Sequence, residues 1–436
     1  MKLTVLDPGH FHAALLQKTM HPDIDPTVHV YAEDGPQLAD YLSKIESYNT
    51  RRDNPTAWRM QVHAGPDFPE RFSADKPGGF VVIAGNNKRK SEFIARGVEA
   101  GMHVLADKPM AINGPGFDAL VRAFADARDR GVLLYDIMTE RFEITTMLQK
   151  AFSRIPEVFG ELLHGSLAEP AIVKESVHYF SKLVSGTPVK RPAWFFDVEQ
   201  QGEGLVDITT HLVDLVQWEC FPGESLDFSR DVAVLAAKRW PTGITLAQFE
   251  RLTQLPMFPD FLRKDVEHDN LRVYANGEID YRIKDVHAKV RVLWNFEAPP
   301  GAGDTHYSVM RGSKSSLVIR QGSHENWQPT LYIEPGTSKV AAELQSLLQH
   351  AMHGVRATYP GVEVERAGSE WRVVVPQSYH VGHEAHFGQV ASAFLRYVAD
   401  GALPAWEVPN MIAKYHTTTR ALAVAHGSDP GSGPAS

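Results

Sequence analysis

Short apolar runs separated by amphipathic segments characterise the first third of the chain. The runs LTVL, VHVYAED, MQVHAG, FVVIAG, MHVLAD and VLLYDIM begin at residues 3, 28, 60, 80, 102 and 132. Such runs predict strands that are buried on both faces, as in a parallel sheet covered by helices. Apolar residues recur at helical spacing between some of them, most clearly over 91–101 and 116–131. The pattern predicts an α/β domain with a doubly wound parallel sheet over residues 1–138.

The hydrophobic pattern changes after this domain. Strand-like segments follow one another at 160–167, 230–240, 243–252, 288–296, 306–310 and 315–322, without regular helices between them. This succession predicts a mostly antiparallel sheet in an α+β domain over residues 139–426. Amphipathic helices are predicted over 386–401 and 408–426, and the Gly-, Pro- and Ser-rich residues 427–436 are predicted to form a disordered tail.

Length, charge and cysteine content narrow the class of protein. A chain of 436 residues favours two domains, and its net charge of −9 argues against a nucleic-acid or anionic-membrane surface. A single cysteine, Cys220, excludes an intramolecular disulfide and a cysteine-based metal cluster. No stretch approaches the roughly 18 apolar residues that a membrane span needs. The sequence therefore predicts a cytoplasmic protein without a nucleic-acid or membrane partner.

The turn after the first strand is a candidate phosphate site, because ligands of doubly wound sheets bind at the carboxyl ends of the strands. Aligned with the dinucleotide fingerprint G-x-G-x-x-G, the segment DPGHFH keeps only the middle glycine, Gly9, and has Asp7 and His12 at the other two positions. A plain strand–turn–helix explains the segment equally well. His10 and His12 are candidates either for phosphate contacts or for capping the turn. Glu33, at the end of the second strand, could accept from a ribose hydroxyl, which favours NAD slightly over NADP.

A lysine ends the fifth predicted strand, on the ligand side of the sheet. Pro109 follows Lys108 and restricts it towards extended backbone geometry, so that the direction of its side chain is defined. Lys108 is therefore a candidate catalytic group, although lysines at strand ends are often simply solvated.

A second candidate group lies in the segment QQGEGLVDITTHLVDLVQW, residues 200–218, where apolar residues recur at helical spacing. Asp207, His211 and Asp214 follow at i, i+4 and i+7, and we expect them to share one face of a helix. A carboxylate one turn before a histidine raises the basicity of the imidazole, which suits proton transfer. An exposed Asp–His pair without function has the same spacing.

Together these motifs resemble the two signatures of the glucose–fructose oxidoreductase/inositol dehydrogenase (Gfo/Idh/MocA) family. Asp107-Lys108-Pro109 matches the family's E-K-P, with Asp for Glu, and GEGLVDITTHLVDL matches its glycine-rich turn and D-x-G-x-H-x-x-D helix, with Thr209 for the glycine. The run FVVIAGNNKRKSEFIARGVEAGMHVLADKP aligns with the family without a gap; Asn87 fits the family asparagine and Lys90 replaces a histidine. Arg141-Phe142 resembles an Arg-Phe pair after the sixth strand. The resemblance covers residues 1 to about 220.

The resemblance implies a Rossmann domain that binds NAD or NADP and a second domain whose open sheet closes over a sugar, inositol or related polyol. Lys108 would transfer the hydroxyl proton, His211 would act as acid/base or orient the substrate, and Asp207 would hold substrate hydroxyls or steer the lysine. The cofactor would contact Gly9, His10, Phe11, His12, Glu33, Ala84, Gly85, Asn87, Asp107, Lys108 and Arg141. The substrate would contact Lys108, Asp207 and His211, joined by Lys174, His178 and Trp194 from the region of residues 170–200, which could also simply cover the cleft. A homodimer or homotetramer is expected.

Other functions stay open at this point. Some relatives oxidise a sugar only transiently, which would make the chain an NAD-dependent glycosidase or lyase, and the missing glycines also fit a non-catalytic ligand-binding protein. A metal site could be sought in His380, His383, Glu384 and His386. However, Glu384 points away from the helix face that His383 and His386 share, and H-E-x-x-H is absent. We therefore expect no metal site.

Overall fold

The N-terminal part of the computed structural model, which describes residues 1–184 and 187–427, is built on a parallel sheet of six strands. The strands lie in the order β3-β2-β1-β4-β5-β6. Their bounds are β1 Leu3–Leu6, β2 Thr27–Ala32, β3 Arg59–Ala64, β4 Phe80–Ile83, β5 His103–Asp107 and β6 Leu134–Ile137. The helices of this part are α1 His12–Leu15, α2 Pro36–Thr50, α3 Phe68–Asp75, α4 Lys90–Glu99 and α5 Gly114–Arg130. The predicted doubly wound sheet is confirmed.

The second sheet has ten strands and is antiparallel except for one parallel pair, β7 with β13. Its order is β10-β12-β13-β7-β14-β15-β16-β18-β17, with β11 paired to β12, while β8 and β9 pair as a separate two-stranded sheet. The strands are β7 Ile172–Ser181, β8 Leu183–Val184, β9 Thr187–Pro188, β10 Val232–Thr245, β11 Val266–Glu267, β12 Asn270–Ile283, β13 Val286–Glu297, β14 Thr305–Arg311, β15 Ser315–Arg320, β16 Thr330–Pro335, β17 Glu363–Ala367 and β18 Glu370–Val374. The predicted mostly antiparallel sheet is therefore confirmed.

Helices cover one face of this sheet and connect it back to the first. They are α6 Ile144–Ser153, α7 Val198–Gln201, α8 Thr209–Cys220, α9 Phe228–Asp231, α10 Leu246–Thr253, α11 Ser338–Thr358, α12 His383–Asp400 and α13 Glu407–Ala425. Side chains of α8 pack with the inner residues of β12 and β13 in one apolar cluster. None of the described helices is long and apolar enough to cross a membrane.

The last two helices position the site, because they return to the N-terminal sheet. Phe387 and Phe394 of α12 and Tyr415 of α13 belong to the same apolar core as strands β1 to β6. The ring of Phe394 lies 5.8 Å from that of Phe80 on β4. This packing brings the first residue of α12, His383, beside the β1–α1 turn.

Three local predictions are wrong. Residues 160–167 form no strand and contribute only two isolated bridges. Residues 246–253 form helix α10 instead of a strand, because Thr245 and Gln248 make a capping box that starts a helix. Helix α8 begins at Thr209, so Asp207 lies in the turn before it and does not share a helical face with His211. The predicted tail lies outside the described residues from position 428 onwards.

Candidate active site

A cavity of about 660 Å³ lies between the carboxyl end of the N-terminal sheet and the face of the second sheet. Both parts of the chain contribute side chains to its wall, as does the start of α12. The lining residues that matter most for chemistry are Lys108, Asp207, His211, His178, Arg191 and Trp294. The structure thus brings Lys108 together with Asp207 and His211, which lie 99 and 103 residues later in the sequence.

Lys108 and Asp207 form an ion pair in the wall of this cavity. Strand β5 ends at Asp107, so that Lys108 is the first residue beyond the sheet edge. Its Nζ donates to Asp207 Oδ1 at 2.5 Å, and the two side chains are only 10% and 8% exposed. The other carboxylate oxygen of Asp207 accepts from Gln201 Nε2 at 3.0 Å. Two acceptor contacts therefore fix the carboxylate, which in turn fixes the lysine.

His211 lies in the first turn of α8 and lines the same cavity. Burial, followed by the positive charge of Lys108, holds the pKa of His211 well below its usual range. The imidazole is therefore neutral near pH 7. Its Nδ1 is shielded from solvent and has no hydrogen-bond partner among the described residues. A buried polar atom without a partner is costly, and a bound hydroxyl would remove that cost.

Asp214 and Arg141 belong to a buried network of ion pairs, although Arg141 was predicted to contact the cofactor. Asp214 accepts from Arg141 Nε at 2.6 Å and from Lys414 Nζ at 2.8 Å, and Arg141 Nη1 donates to Glu407 at 2.9 Å. Although burial alone would raise the pKa of Asp214, the charges of Arg141 and Lys414 hold it below its usual range. Arg141 is buried in this network between α8 and α13, which corrects its assignment to the cofactor.

Of the three substrate-binding candidates around 170–200, only His178 reaches the cavity. Its Nδ1 lies 2.8 Å from Asp304 Oδ2, and its ring stacks on Trp294 at 5.1 Å. Lys174, four residues earlier on β7, is fully buried under the end of α8, where it pairs with Glu219. Trp194 packs into an apolar cluster behind the cavity wall. The assignments of Lys174 and Trp194 to the substrate are therefore wrong.

Sequence reasoning missed Arg191 and Trp294, which both line the cavity. Arg191 Nε and Nη2 donate to the backbone carbonyls of Phe180 and Tyr179 at 2.9 and 3.0 Å, and the guanidinium lies 5.4 Å from the Trp294 ring. The alternating pattern of β13 is the one signal that could have identified Trp294 as an inward-facing residue. No local signal marks Arg191.

The predicted cofactor edge lies where β1 and β4, which are neighbours in the sheet, come to an end. Gly9 and Gly85 pack closely there: a Cβ on Gly85 would lie 2.0 Å from the carbonyl oxygen of Asp7. Asp7 adopts a positive φ of 54° at the position of the first fingerprint glycine, and burial raises the pKa of its carboxyl to about 6.

The other predicted cofactor residues lie around this turn. Ala84 is fully buried beside Gly85, and Glu33 is exposed after β2. The Asn87 side chain donates to the Gln201 carbonyl at 2.7 Å and so joins the sheet edge to the turn before Asp207. Phe11, partly exposed, lines the cavity with its neighbours His10 and His12.

Three of these residues form a cluster that the sequence did not predict. His12 Nδ1 and His10 Nδ1 lie 2.9 and 3.3 Å from the same oxygen of Asp107. His12 Nε2 lies 3.0 Å from Nε2 of His383. Glu384 pairs with Lys18 instead. His383 therefore contacts the turn after β1, whereas Glu384 faces another residue. The two do not form the metal site that was considered for residues 380–386.

Comparisons with known proteins agree with this architecture. Residues 148–426 match the family model described as "Putative oxidoreductase C terminal domain". A solved structure, described as a "putative oxidoreductase" from Parabacteroides merdae, shares 53% identity with this chain, covers 98% of both chains and has a TM-score of 0.96. No curated protein matches.

More distant solved structures share the fold. Levoglucosan dehydrogenase in complex with NADH and levoglucosan has 14% identity, a TM-score of 0.61 and 98% coverage of both chains. A variant of the 3-ketoreductase KijD10 from Actinomadura kijaniata, in complex with TDP-benzene and NADP, has 16% identity, a TM-score of 0.57, and 98% and 97% coverage.

Proposed function

The chain belongs to the oxidoreductase family of the matched C-terminal domain and has the fold expected of Gfo/Idh/MocA proteins. On this basis we propose the following reaction. It oxidises a secondary hydroxyl of a sugar, inositol or related polyol by hydride transfer to NAD or NADP. The observation that carries this proposal is the ion pair of Lys108 and Asp207, in the wall of a cavity large enough for a sugar.

The edge of the N-terminal sheet fits a dinucleotide. Strand order reverses between β1 and β4, and such a switch point is where doubly wound sheets bind their ligands. Gly9 allows backbone to approach a pyrophosphate, and Glu33 could accept from a ribose hydroxyl, which favours NAD. When bound, the nicotinamide supplies the acceptor for the hydride.

The proton of the substrate hydroxyl leaves through the Lys108–Asp207 pair. As Lys108 Nζ takes the hydroxyl proton, it passes one of its own protons to Asp207 Oδ1, 2.5 Å away. The ammonium thus stays charged and stabilises the developing carbonyl oxygen, while the carboxylate becomes the acid. Gln201 keeps Asp207 aligned for this transfer through its hydrogen bond to Oδ2.

The remaining cavity residues orient the sugar. Neutral His211 lines the cavity, where its imidazole would hydrogen-bond a hydroxyl neighbouring the one that reacts. Trp294 provides an aromatic face and Arg191 a donor with no carboxylate partner among the described residues. These contacts would hold the reacting carbon in one orientation, which lowers the entropic part of the barrier.

A redox-neutral glycosidase or lyase is a second candidate. The observation in its favour is that His178, whose ring nitrogens contact Asp304 and the Ser176 hydroxyl, lines the same cavity, where it would serve as a second base. Oxidation next to a C–H bond acidifies that bond, and a second base could then remove its proton. A homodimer or homotetramer and a cytoplasmic location complete the proposal. The retained Lys108–Asp207 pair disfavours a non-catalytic ligand-binding protein.

The proposal is tested by mixing the protein and either NAD or NADP with a panel of free sugars, inositols and glycosides. We expect reduced nicotinamide to accumulate, as followed by its absorbance, with an oxosugar as the product in NMR spectra. Release of the aglycone from a glycoside without net reduction would favour the redox-neutral cycle. Absence of both reactions across the panel, with the cofactor bound, would contradict the proposal.

A further inference from the structure

The turn after β1 and the end of β5 bring together three side chains that can bind a metal ion, two histidines and one aspartate. One ring nitrogen of His10, one of His12 and a carboxylate oxygen of Asp107 all lie within 4.8 Å of one another. Ligand atoms around a zinc ion, with bonds of about 2.0–2.1 Å, lie about 3.3 Å apart in a tetrahedral site. The two histidine–Asp107 distances, 2.9 and 3.3 Å, agree with that spacing.

The polar atoms of this cluster are not satisfied by the protein alone. The Asp107 side chain is 4% exposed, and its Oδ1 has no hydrogen-bond partner among the described residues. His10 Nδ1 is also without one, although it faces Asp107 Oδ2. Buried polar atoms without partners are rare because each costs free energy, and this cluster has two of them, Asp107 Oδ1 and His10 Nδ1. A cation bound by His10 Nδ1 and by both oxygens of the Asp107 carboxylate would satisfy both atoms.

The surroundings of His12 match those of a metal-bound histidine. Such histidines donate from the second ring nitrogen to a neighbouring acceptor, which fixes the ring orientation. His12 Nδ1 faces Asp107, and its Nε2 lies 3.0 Å from Nε2 of His383 at the start of α12. His383 therefore acts as a positioning residue for His12.

We propose that His10, His12 and Asp107 bind a divalent transition-metal ion such as Zn²⁺, Mn²⁺ or Fe²⁺. Two imidazoles and one carboxylate form a ligand set that leaves coordination positions free, as catalytic sites require. His10, His12 and Lys108 line the same cavity, so the free positions face the space proposed for the substrate. The side chains of His10 and His12 are thereby assigned to an ion and not to cofactor phosphates.

An ion in this position would polarise a substrate oxygen near Lys108, because His10, His12 and Lys108 line the same cavity. Metal binding itself does not depend on the proposed redox function. An experiment that measures metal binding alone therefore distinguishes failure of the metal site from failure of the redox reaction.

The test uses the full chain stripped with a chelator and then dialysed against Co²⁺ or Zn²⁺ as the sole added ligand. We expect one ion per chain, with visible d–d absorption bands of Co²⁺ that report nitrogen and oxygen ligands. His10→Ala and the isosteric Asp107→Asn should abolish both. His383→Ala should weaken binding by about 10–100-fold without removing it, as expected for a residue that orients a ligand.

His21→Ala is the matched control, because His21 lies near the carboxylate of Asp23, at 3.8 Å, on the surface. This variant should bind as the unmodified chain does. Thermal unfolding of each stripped variant shows whether it is folded, and added Zn²⁺ should raise the unfolding temperature only where the three ligands are intact. The proposal is overturned if the unmodified chain binds no ion, or if folded His10→Ala and Asp107→Asn variants bind as tightly as His21→Ala. A simple Asp–His hydrogen bond would then explain the cluster.

Discussion

Lys108 and Lys174 are both lysines paired with a carboxylate, and both were candidate site residues in the sequence, yet their surroundings differ. Lys174 is fully buried and donates to Glu219, Gln149 and Ser308, so that its ammonium is surrounded by acceptors. Asp207 is the one hydrogen-bond partner of Lys108 among the described residues. Lys108 thus keeps N–H groups for a ligand.

The difference follows from helix α8, which lies over both pairs. Its C-terminal end carries Glu219 and covers Lys174 completely, whereas its N-terminal end carries His211 and borders the cavity beside Lys108. Asp214, midway along the helix, belongs to the buried network with Arg141 and Lys414. The same residue types thus stabilise the fold or are available for chemistry, depending on whether an open cavity adjoins them.

The largest effect is expected for Lys108→Met. Removing the group that relays the proton should lower kcat/KM by about 10²–10⁴-fold, the range of general acid–base catalysis. The free energy of unfolding should fall less than for Lys174→Met, because Asp207 lines a cavity and keeps its hydrogen bond from Gln201. Steady-state kinetics and chemical denaturation measure the two quantities. Lys108→Arg is the matched control: it keeps the charge but cannot give up a proton, and should be similarly slow. Full activity of either variant would contradict the role of Lys108.

Lys174→Met should have the opposite effect: a large loss of stability with little change in activity. Breaking a buried ion pair leaves Glu219 charged and unpaired, which costs about 3–5 kcal/mol of unfolding free energy. Chemical denaturation checks this, and kcat of the folded fraction should be retained. The double variant Lys174→Met with Glu219→Met should be more stable than the single variant, since no buried charge is left over. An unchanged stability of Lys174→Met would show that the Lys174–Glu219 pair does not stabilise the fold, and so would contradict the difference from the Lys108–Asp207 pair.

The smallest effect is expected for Asp7→Asn, and it depends on pH. The carboxyl of Asp7 has its pKa raised from 3.8 to about 6 by burial, so the folded state binds its proton more tightly than the unfolded chain does. The fold therefore loses stability as the pH rises from about 4 to about 6, and the loss is complete above that range, where Asp7 is ionised in both states. The asparagine variant, which tolerates the positive φ, should be more stable than the unmodified chain by about 1–3 kcal/mol at pH 8 and equally stable at pH 4.

Denaturation curves at both pH values test this expectation. Asp34→Asn is the control, since Asp34 is exposed at the end of β2. Its stability should follow that of the unmodified chain at both pH values. A gain for Asp7→Asn that is the same at pH 4 and pH 8 would show that the fold does not raise the pKa of this carboxyl.

The sequence was sufficient to predict the first sheet and the pair that faces the cavity. Fully apolar runs identify strands such as β4 and β5 whatever surrounds them, and the position of Lys108 at a strand end follows from them. The sequence was not sufficient for residues whose surroundings come from distant segments. Lys174 and His178 lie on one face of β7, and only the placement of α8 separates the buried residue from the accessible one. Arg191 and the His12–His383 contact likewise depend on packing between segments far apart in the chain.

The most direct test of the central claim, that Lys108 lies beside a nicotinamide cofactor, is to denature the purified protein and analyse the supernatant for dinucleotide. We predict NAD(H) or NADP(H) in the supernatant, or binding of added cofactor by the folded protein, despite the incomplete glycine fingerprint at Asp7 and Gly9. Finding no released dinucleotide, together with no binding of added NAD or NADP, would contradict the account.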